Sequence, residues 1–217
     1  YKRQLALQAA GHEDEARQIA DPPRMVMLHD PADTVLTPSL RAELAALVEQ
    51  DPSARDDPFG KATRGGRQTG ELDPAAHPAL LALEALLLDL LRAAAPDGRG
   101  ADDIALRIWG VRLTAGGAQS PHHHPLGQLS GVVYLGLPEG MQDSDPEAGA
   151  LVFGRPPARI VPPRPPTEHV VLPAPGRIAL FPSHLWHCTR PFTAAGARVS
   201  LSFDAVYGRG PTAQPGA

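Results

Sequence analysis

Residues 176–190 read GRIALFPSHLWHCTR and hold two short segments with strand character, 177–181 and 186–190, on either side of a Pro-Ser turn. Similar segments follow one another through the C-terminal half of the chain, at 104–113, 128–136, 150–153, 169–172 and 198–206. Turns rich in Gly or Pro separate them, among them Gly116-Gly117, the proline run at 156–166 and residues 193–196. Short strands with such turns predict an antiparallel sandwich or jelly roll.

The N-terminal half has helical periodicity instead. Residues 38–49 place Leu40, Leu44, Leu47 and Val48 on one stripe, and the leucine-rich stretch 75–95 predicts a helix buried against a sheet. Between them, residues 51–70 are polar, charged and Gly-rich, which predicts a surface loop or a lid facing a substrate. We therefore expect an α+β protein, a double-stranded β-helix (jelly roll) with N-terminal helices packed on one face.

Composition limits the classes of protein to consider. The 217 residues are 42% hydrophobic and 20% charged, as in globular domains, and the net charge of −4 gives no support to nucleic-acid binding. No apolar run approaches the roughly 20 residues of a membrane span, and no secretory signal is visible. We expect a cytoplasmic protein without nucleic-acid or membrane partners. The single cysteine, Cys188, excludes a disulfide within the chain.

Three histidines form a candidate metal site. His122 and His124 alternate, so a strand would direct both imidazoles to one face, and His187 from a distant segment could supply a third ligand. Three facial ligands leave open positions for a substrate or O2, as non-haem iron oxygenases need. The alternative is a polar loop at 122–124 with His187 as a buried, hydrogen-bonded residue. The other histidines lack this spacing.

Arg198 and Ser200 are candidates for holding a carboxylate beside that metal. If residues 193–196 form a hairpin turn, His187 lies opposite 199–201, and Arg198 and Ser200 share the adjacent strand face. A guanidinium with a neighbouring hydroxyl is a suitable receptor for a carboxylate. The alternative for Arg198 is a surface arginine at the start of a strand.

The ordered motifs resemble a known family. They are His-x-His-Pro at 122–125, LSGVVYL at 129–135, GALVFG at 149–154, PGR at 175–177, FPS at 181–183, Trp186-His187 and RVSLSFD at 198–204. Together they are similar to iron(II)- and 2-oxoglutarate-dependent oxygenases of the group that carries this domain after tetratricopeptide repeats. A short helix, Gly11 and a second helical stretch resemble part of one such repeat, so we assign 1–21 to it and 22–217 to the oxygenase domain, with helical support at 38–95 and a jelly-roll core at about 103–207.

The resemblance implies that His122, His124 and His187 hold Fe(II), and that Arg198, Ser200 and Tyr134 bind 2-oxoglutarate. It implies a hydroxylase that uses O2 and converts 2-oxoglutarate to succinate and CO2. The association with peptide-binding repeats suggests a protein or peptide side chain as substrate.

One position departs from the wider superfamily, which has an acid where this chain has His124. An imidazole adds no negative charge, so the charge of the metal centre is higher. Asp143, Asp145 or Glu147 could replace His124 as ligand, although their loop looks solvated. Two other functions stay open: a three-histidine dioxygenase of cupin type that uses no keto acid, and a non-catalytic metal-binding or interaction module.

Overall fold

The computed structural model describes residues 2–32, 35–95 and 103–208. The N-terminal part contains five α-helices, a short 3-10 helix at Pro74–Ala76 and three strands within that part of the chain. The helices are α1 Lys2–Ala9, α2 Glu13–Ile19, α3 Pro22–Met25, α4 Pro38–Gln50 and α5 Pro78–Ala94. Thr37 caps α4 by accepting a hydrogen bond from the Leu40 amide at 3.1 Å, and Pro38 occupies the first turn, where its missing N–H costs nothing.

Ten strands form two antiparallel sheets. They are β1 Met27–His29, β2 Arg55–Asp56, β3 Thr63–Leu72, β4 Ile104–Gln119, β5 Leu129–Gly136, β6 Leu151–Phe153, β7 His169–Val171, β8 Ile178–Pro182, β9 His187–Thr189 and β10 Ala197–Tyr207. The large sheet has the order β1-β8-β5-β10-β4-β3-β2, and the small sheet has the order β7-β6-β9. Every strand segment predicted beyond residue 103 is present, with shifted ends, and the predicted jelly roll is confirmed.

Alternate side chains of β10 face two different layers of the molecule. Val199, Leu201 and Phe203 pack in one core with leucines of α4 and α5, so the helices cover the outer face of the large sheet as predicted. Arg198 and Asp204 are on the other face, which looks toward the small sheet. The space between the sheets is filled by residues of both, including Tyr134 from β5 and Phe153 from β6. Polar side chains on β10 are therefore enclosed between two apolar layers.

The prediction of a loop or lid at 51–70 is wrong for half of that stretch, because β2 and most of β3 lie within it and extend the large sheet, whereas residues 51–54 and 57–62 are outside the strands. Its glycines mark close approach of backbones: a Cβ at Gly66 would come 2.4 Å from the Arg112 carbonyl oxygen. The predicted turn at Gly116-Gly117 is also wrong, since both lie inside β4, where Gly117 meets Gly65 of β3 equally closely. The predicted helical support at 38–95 thus contains two strands.

The short strand β1 begins at Met27, directly after α3 and Val26. Within 2–32, 35–95 and 103–208, none of the helices combines the length and the apolar character that crossing a membrane requires.

Two leucines, one on the buried side of α5 and one on its exposed side, test how this helix packs. Leu87 is 0% exposed and Leu81 is 54% exposed. Leu87→Ala should lower the free energy of unfolding by about 2–5 kcal/mol, because it removes buried methyl groups and leaves a cavity. Leu81→Ala should change it by about 0.5 kcal/mol or less. Urea unfolding of both variants measures the difference, and equal losses would contradict the assignment of the buried face.

Candidate metal centre

A pair of backbone hydrogen bonds joins the histidine loop to the small sheet. The His122 amide donates to the His187 carbonyl at 2.9 Å, and the His187 amide donates to the His122 carbonyl at 2.9 Å. Two residues on, the His124 amide donates to the Ser183 carbonyl at 2.9 Å. The prediction that His122 and His124 lie on a regular strand is wrong, because His122 forms only an isolated bridge. The extended backbone still places both side chains on one side.

The three predicted ligands come together. One ring nitrogen from each of His122, His124 and His187 lies within 4.8 Å of the others. The ring centroids are 4.2 Å apart for His122 and His187, 5.1 Å for His124 and His187, and 5.2 Å for His122 and His124. Among the described residues, these three histidines form the only group of histidine, cysteine or acidic side chains with such spacing. The group contains no carboxylate.

Each imidazole is oriented through its Nδ1 atom. His122 Nδ1 lies 2.8 Å from the Ser120 carbonyl oxygen, and His187 Nδ1 lies 2.9 Å from the Leu185 carbonyl oxygen. A carbonyl oxygen can only accept, so both Nδ1 atoms carry the proton and both Nε2 lone pairs are available. This pattern, in which the outer ring N–H is held and the inner nitrogen is left for an ion, is the usual one for metal-binding histidines.

The electrostatics keep two of the three rings, His122 and His187, neutral. Burial, and then the neighbouring His124, lower the pKa of His122 to about 4. Burial, and then His122 and His124, hold the pKa of His187 well below its usual value. Near neutral pH both rings are therefore uncharged, which is the form that binds a cation.

Asp204 is a site residue to which sequence reasoning gave no role. Its Oδ1 lies 2.5 Å from His124 Nδ1 and accepts a hydrogen bond from Ser130 Oγ at 2.6 Å. Asp204 is separated from His124 by 80 positions, so local spacing gave no signal. The signal in the sequence was strand alternation. Asp204 is an even number of positions from Arg198 on β10, so both side chains lie on the same face of that strand.

Arg198 is enclosed in the same cavity. Its side chain is 1% exposed, and its guanidinium carbon lies 4.8 Å from the centre of the Tyr134 ring. Arg198 Nε and Nη1 and the Tyr134 hydroxyl are buried without a hydrogen-bond partner among the described residues. Burial raises the pKa of Tyr134, and the Arg198 charge opposes that rise. Buried, unpaired donors of this kind fit an anionic ligand, because leaving them unpaired is costly.

Ser200 has a weaker connection to the site. It is buried beside Tyr134 in the β10–β5 register, but it is absent from the lining of the cavity. The predicted hairpin between β9 and β10 is wrong: β9 pairs with β6, whereas β10 pairs with β4 and β5. Arg198 nevertheless shares the cavity with His187, because their strands belong to facing sheets.

The cavity has a volume of about 470 Å³. Besides the three histidines, Arg198 and Asp204, its walls include Trp109, Val132, Leu151 and Phe181. Trp109 lies 5.6 Å from His124, ring centre to ring centre. The alternative acids lie elsewhere: Glu147 pairs with Arg190, and Asp145 accepts the Glu147 amide. Three enclosed nitrogen donors therefore share a pocket with an unpaired cation.

The segment that contains the site matches a known protein family. Residues 107–204 match the family model described as "Putative 2OG-Fe(II) oxygenase". The matched segment contains the three histidines, Arg198 and Asp204. The prediction of Fe(II) and 2-oxoglutarate as cofactors is confirmed by this match together with the three-histidine site. A search of the curated proteins gives no match.

Solved structures of similar fold include several oxygenases. A prolyl-4-hydroxylase from Pseudomonas putida is 22% identical over 85% of this chain and 93% of its own, with a TM-score of 0.62. A prolyl hydroxylase from Trichoplax adhaerens, in complex with a hypoxia inducible factor peptide fragment, is 14% identical over 83% and 82%, with a TM-score of 0.60. HygX from Streptomyces hygroscopicus, with nickel and 2-oxoglutarate bound, is 18% identical over 83% and 82%, with a TM-score of 0.55. At these identities the likeness establishes the fold.

We expect the metal-free protein to lose stability as the pH falls from 6.5 toward 4. The folded state keeps His122 neutral down to a pKa of about 4, while the unfolded chain takes up the proton near 6.5. At about 1.4 kcal/mol per pH unit, His122 alone accounts for a loss of at most about 3 kcal/mol over that window.

Urea unfolding at several pH values, with a chelator present, measures this dependence. His122→Gln should flatten it, whereas His12→Gln, an exposed residue before α2, should leave most of it in place. An unchanged pH dependence in His122→Gln would contradict the neutral, buried state of this ring.

Proposed function

We propose that this protein is an iron(II)- and 2-oxoglutarate-dependent oxygenase that hydroxylates a C–H bond, on a protein or peptide side chain. The observation that supports this most is one cavity that holds three clustered histidines and a buried arginine whose Nε and Nη1 have no hydrogen-bond partner among the described residues. The family match of residues 107–204 points to the same chemistry.

In this proposal His122, His124 and His187 bind the iron through Nε2. Their Nδ1 atoms are already engaged by Ser120, Asp204 and Leu185, so the rings need no reorientation when an ion arrives. When bound, iron and 2-oxoglutarate supply the oxidising chemistry, in which O2 is consumed and succinate, CO2 and a hydroxylated product are released.

Arg198 binds the far carboxylate of 2-oxoglutarate. Its Nε and Nη1 donors are buried with no hydrogen-bond partner in the part of the chain that the structure describes, and a guanidinium offers several N–H donors in the fixed geometry that a carboxylate accepts. The Tyr134 hydroxyl is a second donor for the same anion. Ser200 supports them from the same strand face, although its position outside the cavity lining makes its role indirect. The burial of Arg198, which is 1% exposed, strengthens its interaction with an anion.

The proposal of a protein or peptide substrate has separate support. The Trichoplax prolyl hydroxylase of similar fold is in complex with a peptide fragment. In this chain, α1 and α2 form a helical pair joined at Gly11, whose φ is +82°. We keep the assignment of 1–21 to a partial tetratricopeptide-like unit, and of 22–217 to the oxygenase domain, as part of this proposal.

A second function is favoured by the missing acid. A three-histidine dioxygenase of cupin type would use the same ligands without a keto acid, and Arg198 would then bind the substrate. The two proposals differ in co-substrate, so they can be separated by assay.

The test of the proposed function is release of succinate from 2-oxoglutarate by the iron-loaded protein. Release should require both iron and 2-oxoglutarate, and it should disappear in His187→Ala, which lacks one ligand. Oxygen uptake without 2-oxoglutarate would favour the cupin-type function. Absence of any iron binding would favour a non-catalytic module.

We expect Arg198→Ala to weaken binding of 2-oxoglutarate by about 10- to 100-fold, because a charge-assisted pair contributes roughly 1.5–3 kcal/mol. The measurement is a titration of the metal-loaded protein with 2-oxoglutarate. Arg112→Ala is the matched control, since Arg112 is on the helix-covered side of the sheet and pairs with Glu49 at 3.3 Å. Unchanged affinity in Arg198→Ala would contradict the assignment.

A further inference from the structure

We propose that Asp204 is a positioning residue that supplies, through His124, the negative charge that the three-histidine ligand set lacks. This rests on the proposed function, because it requires a metal ion at the histidines. It goes beyond that function by assigning a role to a carboxylate that is outside the ligand cluster.

The contact between the two side chains is close and enclosed. Asp204 Oδ1 lies 2.5 Å from His124 Nδ1, and the two side chains are 13% and 12% exposed. Ser130 Oγ donates to the same oxygen at 2.6 Å, and Ser130 Oγ lies 2.7 Å from Ser183 Oγ. The carboxylate is therefore held by a chain of buried hydroxyls, so its position relative to the imidazole is fixed.

This arrangement distinguishes His124 from the other two histidines. His122 and His187 present Nδ1 to neutral backbone carbonyls, whereas His124 presents Nδ1 to a carboxylate. A carboxylate on the outer N–H fixes the tautomer and raises the basicity of the inner nitrogen. His124 is thus the ring with the strongest donor character.

The charge balance of the cavity supports the same role. Three neutral imidazoles leave both positive charges of a divalent ion uncompensated, and Arg198 adds another cation to the same pocket. Of the acids that line the cavity, Glu71 pairs with Arg107 at 2.9 Å. Asp204 is the acid that contacts a proposed ligand, and because its side chain is only 13% exposed, solvent screens its charge less than that of a surface acid.

A purely structural role would need only an acceptor for the Nδ1 proton. Asp204→Asn separates the two roles, because the amide oxygen has the same shape and can still accept from His124 while the charge is lost. The probe is Co(II), whose affinity is measured by competition with a coloured chelator. Asp204→Asn should lower the affinity by about 10- to 100-fold. Asp89→Asn, at an exposed position on α5, should leave it unchanged.

A second background makes the size of the effect diagnostic. In His124→Asp the ligand set carries its own negative charge, and Asp204 no longer has an imidazole partner through which to act. We expect Asp204→Asn to lower Co(II) affinity by less than about threefold in that background, against about 10- to 100-fold in the native one. Retained Co(II) binding in the double variant also shows that the asparagine is tolerated by the fold.

The outcomes distinguish this inference from the proposed function. If the native protein binds Co(II) and His187→Ala does not, the metal site is supported. Equal Co(II) affinities of Asp204→Asn and the native protein would then overturn only the role of Asp204. A loss of the same size in both the native and His124→Asp backgrounds would also overturn it, since that is the mark of a structural role. If the native protein binds no Co(II), the proposed function fails first.

Discussion

The site depends on the reciprocal hydrogen bonds between the backbones of His122 and His187. Each residue donates its amide to the other's carbonyl at 2.9 Å, which holds an irregular loop against the first residue of β9. Side chains of directly opposed residues are neighbours, and His124, two positions along, is directed to the same side. Three imidazoles from two distant segments therefore meet without any long side chain having to reach.

The facing sheets complete what this bridge begins. β10 lies at the centre of the large sheet, between β4 and β5, so its position is fixed along both edges. Its alternation sends Arg198 and Asp204 into the cavity while Val199, Leu201 and Phe203 pack under the helices. A single strand thus supplies the proposed co-substrate anchor and the proposed charge partner of the metal, six residues apart and in phase with the pleat.

Much of this was accessible from the sequence, because strand alternation and metal-ligand spacing are local signals. They located the strands after residue 103, the three clustered histidines and the enclosed Arg198. The pairing of strands was not accessible: β9 and β10 are neighbours in sequence but belong to different sheets, so a hairpin model failed. Gly66, Gly117 and the glycines near them were interpreted as loop residues. Close backbone contact between strands cannot be recognised from the neighbouring sequence. The partnership of His124 and Asp204 depends on tertiary packing across 80 positions.

The absence of an acid from the ligand cluster gains a physical explanation from Asp204. The carboxylate contacts the imidazole instead of replacing it, and Ser130 holds it there. This explanation depends on which atoms bind the ion. The most direct measurement is a crystal structure of the iron complex with 2-oxoglutarate, in which anomalous scattering locates the metal. We predict Nε2 of His122, His124 and His187 at about 2.0–2.2 Å, typical of first-row ions, with Asp204 still on His124 Nδ1. An oxygen of Asp204 or of the 143–147 loop bound to the metal in place of His124 would contradict the account.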